Sequence, residues 1–225
     1  MTTVIFVRHG ESESNWFLHQ DKTDPELSKK INALGDPKLT GLGSKQADKV
    51  GEYLHRLLKG KNLRIFTSPF QRTSETAEPF ISRKVKEKIA FSIQTLGVLQ
   101  EYTKPQKHLT QDHHNKGIVH HETWDDFTKQ IRAFVDELED HCQENDHPIV
   151  IFGHSLYLSV LVSYIASSKE MMPKKEQLVF RFPNCSITTF EYSQSSWRIF
   201  NVGSLAHLKK GLITGTECPF GNTLQ

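Results

Sequence analysis

Short apolar runs that alternate with stretches of helical period constrain this chain more than any other feature. Runs at residues 4–7, 63–67, 91–96, 149–152, 186–192 and 197–202 have the length and bounding residues of strands. Helical patterns separate the first four. In 44–59, Ala47, Val50, Leu54, Leu57 and Leu58 recur at helical spacing, and Gly60 supplies a stop. In 123–142, Phe127, Ile131, Phe134, Val135 and Leu138 make one apolar stripe. Thr123 suits the N-cap there, and Asp125 and Asp126 favour the first turn. Residues 156–166 are apolar on most sides and are expected to be buried. Strands alternating with helices predict an α/β fold: a three-layer sandwich, its central sheet mostly parallel, with helices on both faces. A short polar link, residues 193–196, joins the last two runs as a hairpin and adds an antiparallel C-terminal element. No repeat and no Pro/Gly-rich linker divides the 225 residues, so one domain spanning 1–225 is expected.

Two of the runs end alike. The first leads into Arg8-His9-Gly10, and the fourth into Gly153-His154-Ser155. In an open parallel sheet, ligands bind beyond the carboxyl ends of the strands. A third run leads into Ser68-Pro69-Phe70-Gln71-Arg72, which puts Arg72 on the first turn of a helix at the same edge. The expected cluster is Arg8, His9, Arg72 and His154. Guanidinium forks match phosphate oxygens in bidentate geometry. Turns and helix N-termini add N–H donors for an anion, here at Gly10 and Ser155. A neutral imidazole is a nucleophile, and neighbouring guanidinium groups lower its pKa and keep it neutral. The same charges offset the negative charge that spreads in a phosphoryl transition state. Phosphoryl transfer through histidine is the chemistry this set suits.

Composition excludes several other classes. Hydrophobic residues at 36% and charged residues at 24% fit a soluble globular chain. A net charge of +2 without a dense run of Lys and Arg argues against nucleic acid, and residues 83–88 read as a solvated helix end. The longest apolar stretch, around 156–165, is too short to span a bilayer, so no membrane partner is expected. Cys142, Cys185 and Cys218 are too sparse for a disulfide framework, and no leader is recognisable, so a cytoplasmic location is expected. The sequon at 184–186 then carries no meaning. The histidine pairs at 113–114 and 120–121 invite a metal, but adjacent histidines in an extended segment face opposite ways. They read as a solvated or substrate-facing loop, and no metal site is expected. Residues 16–38 and 102–122 read as long polar loops, and Lys22, Lys29, Lys30, Lys104 and Lys107 suit an anionic substrate. Trp16, Phe17 and Trp124 read as packing residues or partly exposed anchors ahead of a substrate mouth. The tail after Leu208 is expected to be loosely ordered.

Five motifs in order resemble the histidine phosphatase superfamily, the phosphoglycerate mutase-like clan. They are Val7-Arg8-His9-Gly10-Glu11-Ser12 with Asn15; Leu39-Thr40-Gly41-Leu42-Gly43 with Gln46-Ala47; Thr67-Ser68-Pro69 with Arg72 and Thr76-Ala77; Leu99-Gln100-Glu101; and Gly153-His154-Ser155. The resemblance implies that His9 is the residue phosphorylated. It implies that Arg8, Arg72 and His154 complete the phosphate pocket, with Asn15 a polar neighbour. It implies that Glu101 protonates the leaving alcohol and then helps activate water, which requires a raised pKa. The chain departs from the family after Glu101, where Tyr102-Thr103-Lys104-Pro105 replaces a glycine- and tryptophan-containing stretch. The segments that mark cofactor-dependent mutases are also missing, which favours a phosphatase that needs no metal or organic cofactor. The expected partner is a small phosphorylated substrate or a phosphoprotein. Mutase-type transfer and a non-catalytic phosphate-binding scaffold are the alternatives.

Overall fold

The computed structural model describes residues 1–19, 26, 35–102, 123–178 and 180–215. The elements in chain order are β1 (Thr2–Arg8), α1 (Glu13–His19), α2 (Gly41–Leu57), β2 (Leu63–Thr67), α3 (Gln71–Glu87), β3 (Phe91–Thr95), α4 (Trp124–Glu144), β4 (Ile149–Gly153), α5 (Ser155–Ala166), β5 (Ile187–Ser193) and β6 (Ser196–Ser204). The sheet runs β3-β2-β4-β1-β5-β6. Pairings β1–β4, β2–β4 and β2–β3 are parallel, while β5 is antiparallel to both β1 and β6.

Alternate residues of the central strands serve two separate cores. Val4, Phe6, Ile149 and Ile151 pack with α4 and α5 on one face. Ile5, Val7, Val150 and Phe152 pack with α2 and α3 on the other. A strand covered on both sides needs apolar residues at every position, which is why these runs show no alternation. The three-layer α/β reading therefore holds.

Caps set the helix bounds. Helix α2 starts three residues before the expected 44 because the Thr40 hydroxyl accepts from Gly43 N at 3.0 Å. Thr123 opens α4 as expected, and Asp126 completes a reciprocal capping box. Part of the supposed loop 16–38 is helical, because α1 runs through residue 19. No helix among the described residues is long and apolar enough to cross a membrane.

Candidate active site

Register brings the predicted residues together. Arg8 lies opposite Gly153, and Val7 and Thr67 both lie opposite Phe152, so β1, β4 and β2 end at one edge. The ladder continues one step past them: His9 N donates to Gly153 O at 2.9 Å and Ser68 N to Phe152 O at 3.0 Å. His9, His154, Arg8 and Arg72 are all buried there. The two imidazole rings meet edge to face, 5.3 Å between centroids.

Hydrogen bonds fix both tautomers. His9 Nδ1 is 2.7 Å from Gly10 O, a pure acceptor, so Nδ1 carries the proton and Nε2 keeps its lone pair. Arg72 Nη2, a pure donor, approaches His154 Nδ1 at 3.3 Å. The His154 proton therefore sits on Nε2, which donates to Ser68 Oγ at 2.8 Å. Burial holds both histidines well below their ordinary pKa, and Arg72 and Arg8 reinforce it. Burial also draws Arg8 and Arg72 down to about 10, which leaves both charged at neutral pH. The Arg72 guanidinium lies 4.3 Å from the centroid of the Phe70 ring. Arg8 Nη1 donates to Phe182 O, while its buried Nε has no partner among the described residues.

Glu101 sits at the N-terminus of α5. Its Oε2 accepts from Leu156 N and its Oε1 from Tyr157 N, both at 3.2 Å. Burial raises its pKa, although these amides, Arg72 and Arg8 pull the other way. Glu101 thus occupies helix-terminal donors of the kind expected to serve an anion. The Gly10 amide is likewise committed, to Thr76 Oγ1 at 2.9 Å, which corrects its expected role as an anion donor. Ser155 opens α5, and its hydroxyl accepts from Phe182 N at 3.3 Å. Asn15 Oδ1 accepts from Ser12 N at 3.3 Å and from Asn184 Nδ2 at 3.0 Å, which places it beside the first motif.

Several supporting residues escaped the sequence reading. Asn184, set aside as part of a sequon, is fully buried and donates to His9 O at 3.2 Å. Cys185 N also donates to His9 O at 3.2 Å, and Cys185 holds φ 55 to do so. A non-glycine residue in that region marks a strained turn at the site. Gln46 Oε1 accepts from Glu11 N at 2.7 Å, and Thr40 Oγ1 donates to Glu11 Oε1 at 2.7 Å. Ser68, Thr76 and Gln46 belonged to quoted motifs, and that was their signal. Asn184 gave none beyond its neighbours. Trp16 is 46% exposed and Trp124 packs on Tyr102 and Phe127, as a partly exposed anchor and a packing residue. The histidine pairs at 113–114 and 120–121 and the five loop lysines lie outside the described residues.

A buried pair of imidazoles stands with two guanidinium groups and a raised carboxyl nearby, a set whose charge and donors would suit a phosphoryl group. The chain belongs to the histidine phosphatase superfamily, branch 1, whose family model matches residues 4–204. It is 26% identical over 232 aligned positions to a protein of Erwinia tasmaniensis named "Probable phosphoglycerate mutase GpmB", covering 93% of this chain and 96% of that one. Among solved structures, phosphoserine phosphatase from Entamoeba histolytica, in complex with 3-phosphoglyceric acid, superposes with TM-score 0.63 at 21% identity. That match covers 93% of this chain and all of the other. The α-ribazole phosphatase from Shigella flexneri superposes with TM-score 0.62 at 17% identity, covering 90% and 96% of the two chains.

Proposed function

We propose that this protein hydrolyses small phosphomonoesters through a phosphohistidine formed on His9. The observation that carries the reading is the His9 tautomer: a buried imidazole, neutral and with its Nδ1 proton held by Gly10 O, beside two charged arginines. In the first step His9 Nε2 attacks phosphorus, a P–N bond forms and the ester P–O bond breaks. Glu101 gives its proton to the departing alkoxide. In the second step the Glu101 carboxylate takes a proton from water, the water oxygen attacks phosphorus and the P–N bond breaks. Inorganic phosphate leaves and the starting protonation states return. Arg8 and Arg72 offset the charge on the equatorial oxygens in both steps, so this scheme calls on no metal ion or organic cofactor. His154, protonated on Nε2 toward Ser68, holds its ring in place beside His9.

The relatives and neighbours are named for acting on, or were solved with, small phosphorylated molecules, which supports a small substrate and gives none for a phosphoprotein. Transfer to a second hydroxyl rather than to water is the mutase reading, supported by the name of the Erwinia relative. Phosphate release from p-nitrophenyl phosphate and from phosphoglycerates tests both. Wild type is expected to release phosphate and His9→Ala to fall by at least about 10³-fold. Equal rates for the two proteins would refute the catalytic reading. Isomerised phosphoglycerate without free phosphate would favour the mutase.

A further inference from the structure

The peptide that receives the His9 proton is itself held. The Gly10 carbonyl and the Glu11 N–H belong to one peptide plane. The carbonyl accepts from His9 Nδ1, and the N–H donates to Gln46 Oε1 at 2.7 Å. From Gln46 the bonds run on in one sense. Gln46 Nε2 donates to Leu212 O at 2.7 Å and to Thr214 Oγ1 at 2.8 Å. Thr214 Oγ1 donates to Asn184 Oδ1 at 3.2 Å, and Asn184 Nδ2 donates to His9 O at 3.2 Å. The chain of bonds that leaves the backbone at Glu11 returns to it at His9, closing a ring around the nucleophile. The backbone ties the ring down again, where Asn184 N donates to Thr214 O at 3.0 Å. Next along, Gly215 holds φ +73, and a Cβ there would lie 2.5 Å from Asn184 Oδ1 and 2.8 Å from Arg8 Nη1. Residues 212–215 therefore press directly on the phosphate site.

We propose that Gln46 and Thr214 are positioning residues for His9, acting through the Gly10–Glu11 peptide. This rests on His9 being the nucleophile. Bonds aligned head to tail polarise one another, so the Gln46 contact makes Gly10 O a stronger acceptor. A stronger, fixed acceptor holds the Nδ1–H tautomer and aims Nε2 at phosphorus. The same acceptor stabilises the charge that appears on the ring when Nε2 is phosphorylated. Residues 212–215 are thus part of the catalytic apparatus, and the loosely ordered tail expected after Leu208 does not describe them.

Thr214→Val keeps the shape of the side chain and removes the hydroxyl, whereas Thr214→Ser keeps the hydroxyl. Burst-phase kinetics and alkali-quenched phosphoenzyme give the phosphorylation step, and ¹⁵N spectra of the histidines give the tautomer, with the His9 signals identified by their loss in His9→Ala. Thr214→Val is expected to slow phosphorylation about tenfold with little change in KM, and Thr214→Ser to restore it. The His9 signals should shift from Nδ1–H toward Nε2–H in Thr214→Val and in Gln46→Met. Wild-type phosphorylation in Thr214→Val, or equal loss in Val and Ser, would overturn the proposal. If Thr214→Val does not fold, the wild-type spectrum still decides, since a His9 resting as Nε2–H is incompatible with it. A wild type that forms no phosphoenzyme would refute the phosphatase reading and the catalytic role that rests on it, whereas an unchanged His9 tautomer in Thr214→Val, beside a wild type that does form phosphoenzyme, would overturn the positioning alone.

Discussion

The proposed reaction sets Glu101 and His9 opposite needs. His9 must be neutral to attack, and burial together with Arg72 and Arg8 depresses its pKa, so that condition persists well below 6.5. Glu101 must be protonated to assist departure, and burial raises its pKa above 4.5. The kcat/KM profile for an alkyl phosphate is therefore expected to peak on the acid side of neutrality, its alkaline limb belonging to Glu101. Glu101→Ala should remove that limb and slow alkyl phosphate turnover by about 10²-fold. It should spare kcat/KM for p-nitrophenyl phosphate, whose leaving group departs without protonation, although kcat falls for both substrates with the loss of the second-step base. Equal losses of kcat/KM on both substrates would deny Glu101 its role as acid.

At the scale of elements, the second motif supports the first. Gly43, on the first turn of α2, lies against the backbone of the first motif, and a Cβ there would fall 2.0 Å from Glu11 O. Gly41, two residues earlier, has nothing within 4 Å of such an atom. Gly43→Ala should cost about 2 kcal/mol or more, because backbone rather than a mobile side chain must give way. Gly41→Ala should be nearly neutral in the same denaturation experiment. Equal costs would mean that α2 does not press on the turn after β1. The sequence displayed both glycines in one motif, yet only the packing of α2 against the turn after β1 separates their roles. Helices α2 and α4 were legible by period and α1 was not, whereas the bounds waited on caps such as Thr40, which lies outside the apolar stripe.

For the whole molecule, the buried histidines couple folding to pH. His9 and His154 have folded-state pKa values well below the ordinary 6.5. Below 6.5 the unfolded chain takes up protons that the folded chain refuses, so stability falls as pH falls. Each contributes up to about 1.4 kcal/mol per pH unit below that point. Glu101, with its raised pKa, has the opposite sign: its contribution is full below 4.5 and is lost as pH rises through its folded value. Two histidines against one carboxyl leave acid sensitivity dominant. In phosphate-free buffer, Tm should drop by several degrees between about pH 7.5 and about pH 5.5. An unchanged Tm would show that the imidazoles are hydrated rather than shut in.

Local patterns were enough for the α/β layering, for the strand ends that present His9 and His154, and for the arginines beside them. Strand length, helical period and residue type act over a few neighbours, so they can be read along the chain. The anchoring of Glu101 at the start of α5 and the ring from Gln46 through Thr214 and Asn184 to His9 could not be read that way. Asn184 meets His9 across 175 positions, and Gln46 meets Thr214 across 168. A hydrogen bond depends on where two atoms end up and on which donors have already been taken. Only the folded sheet and its packed helices decide that.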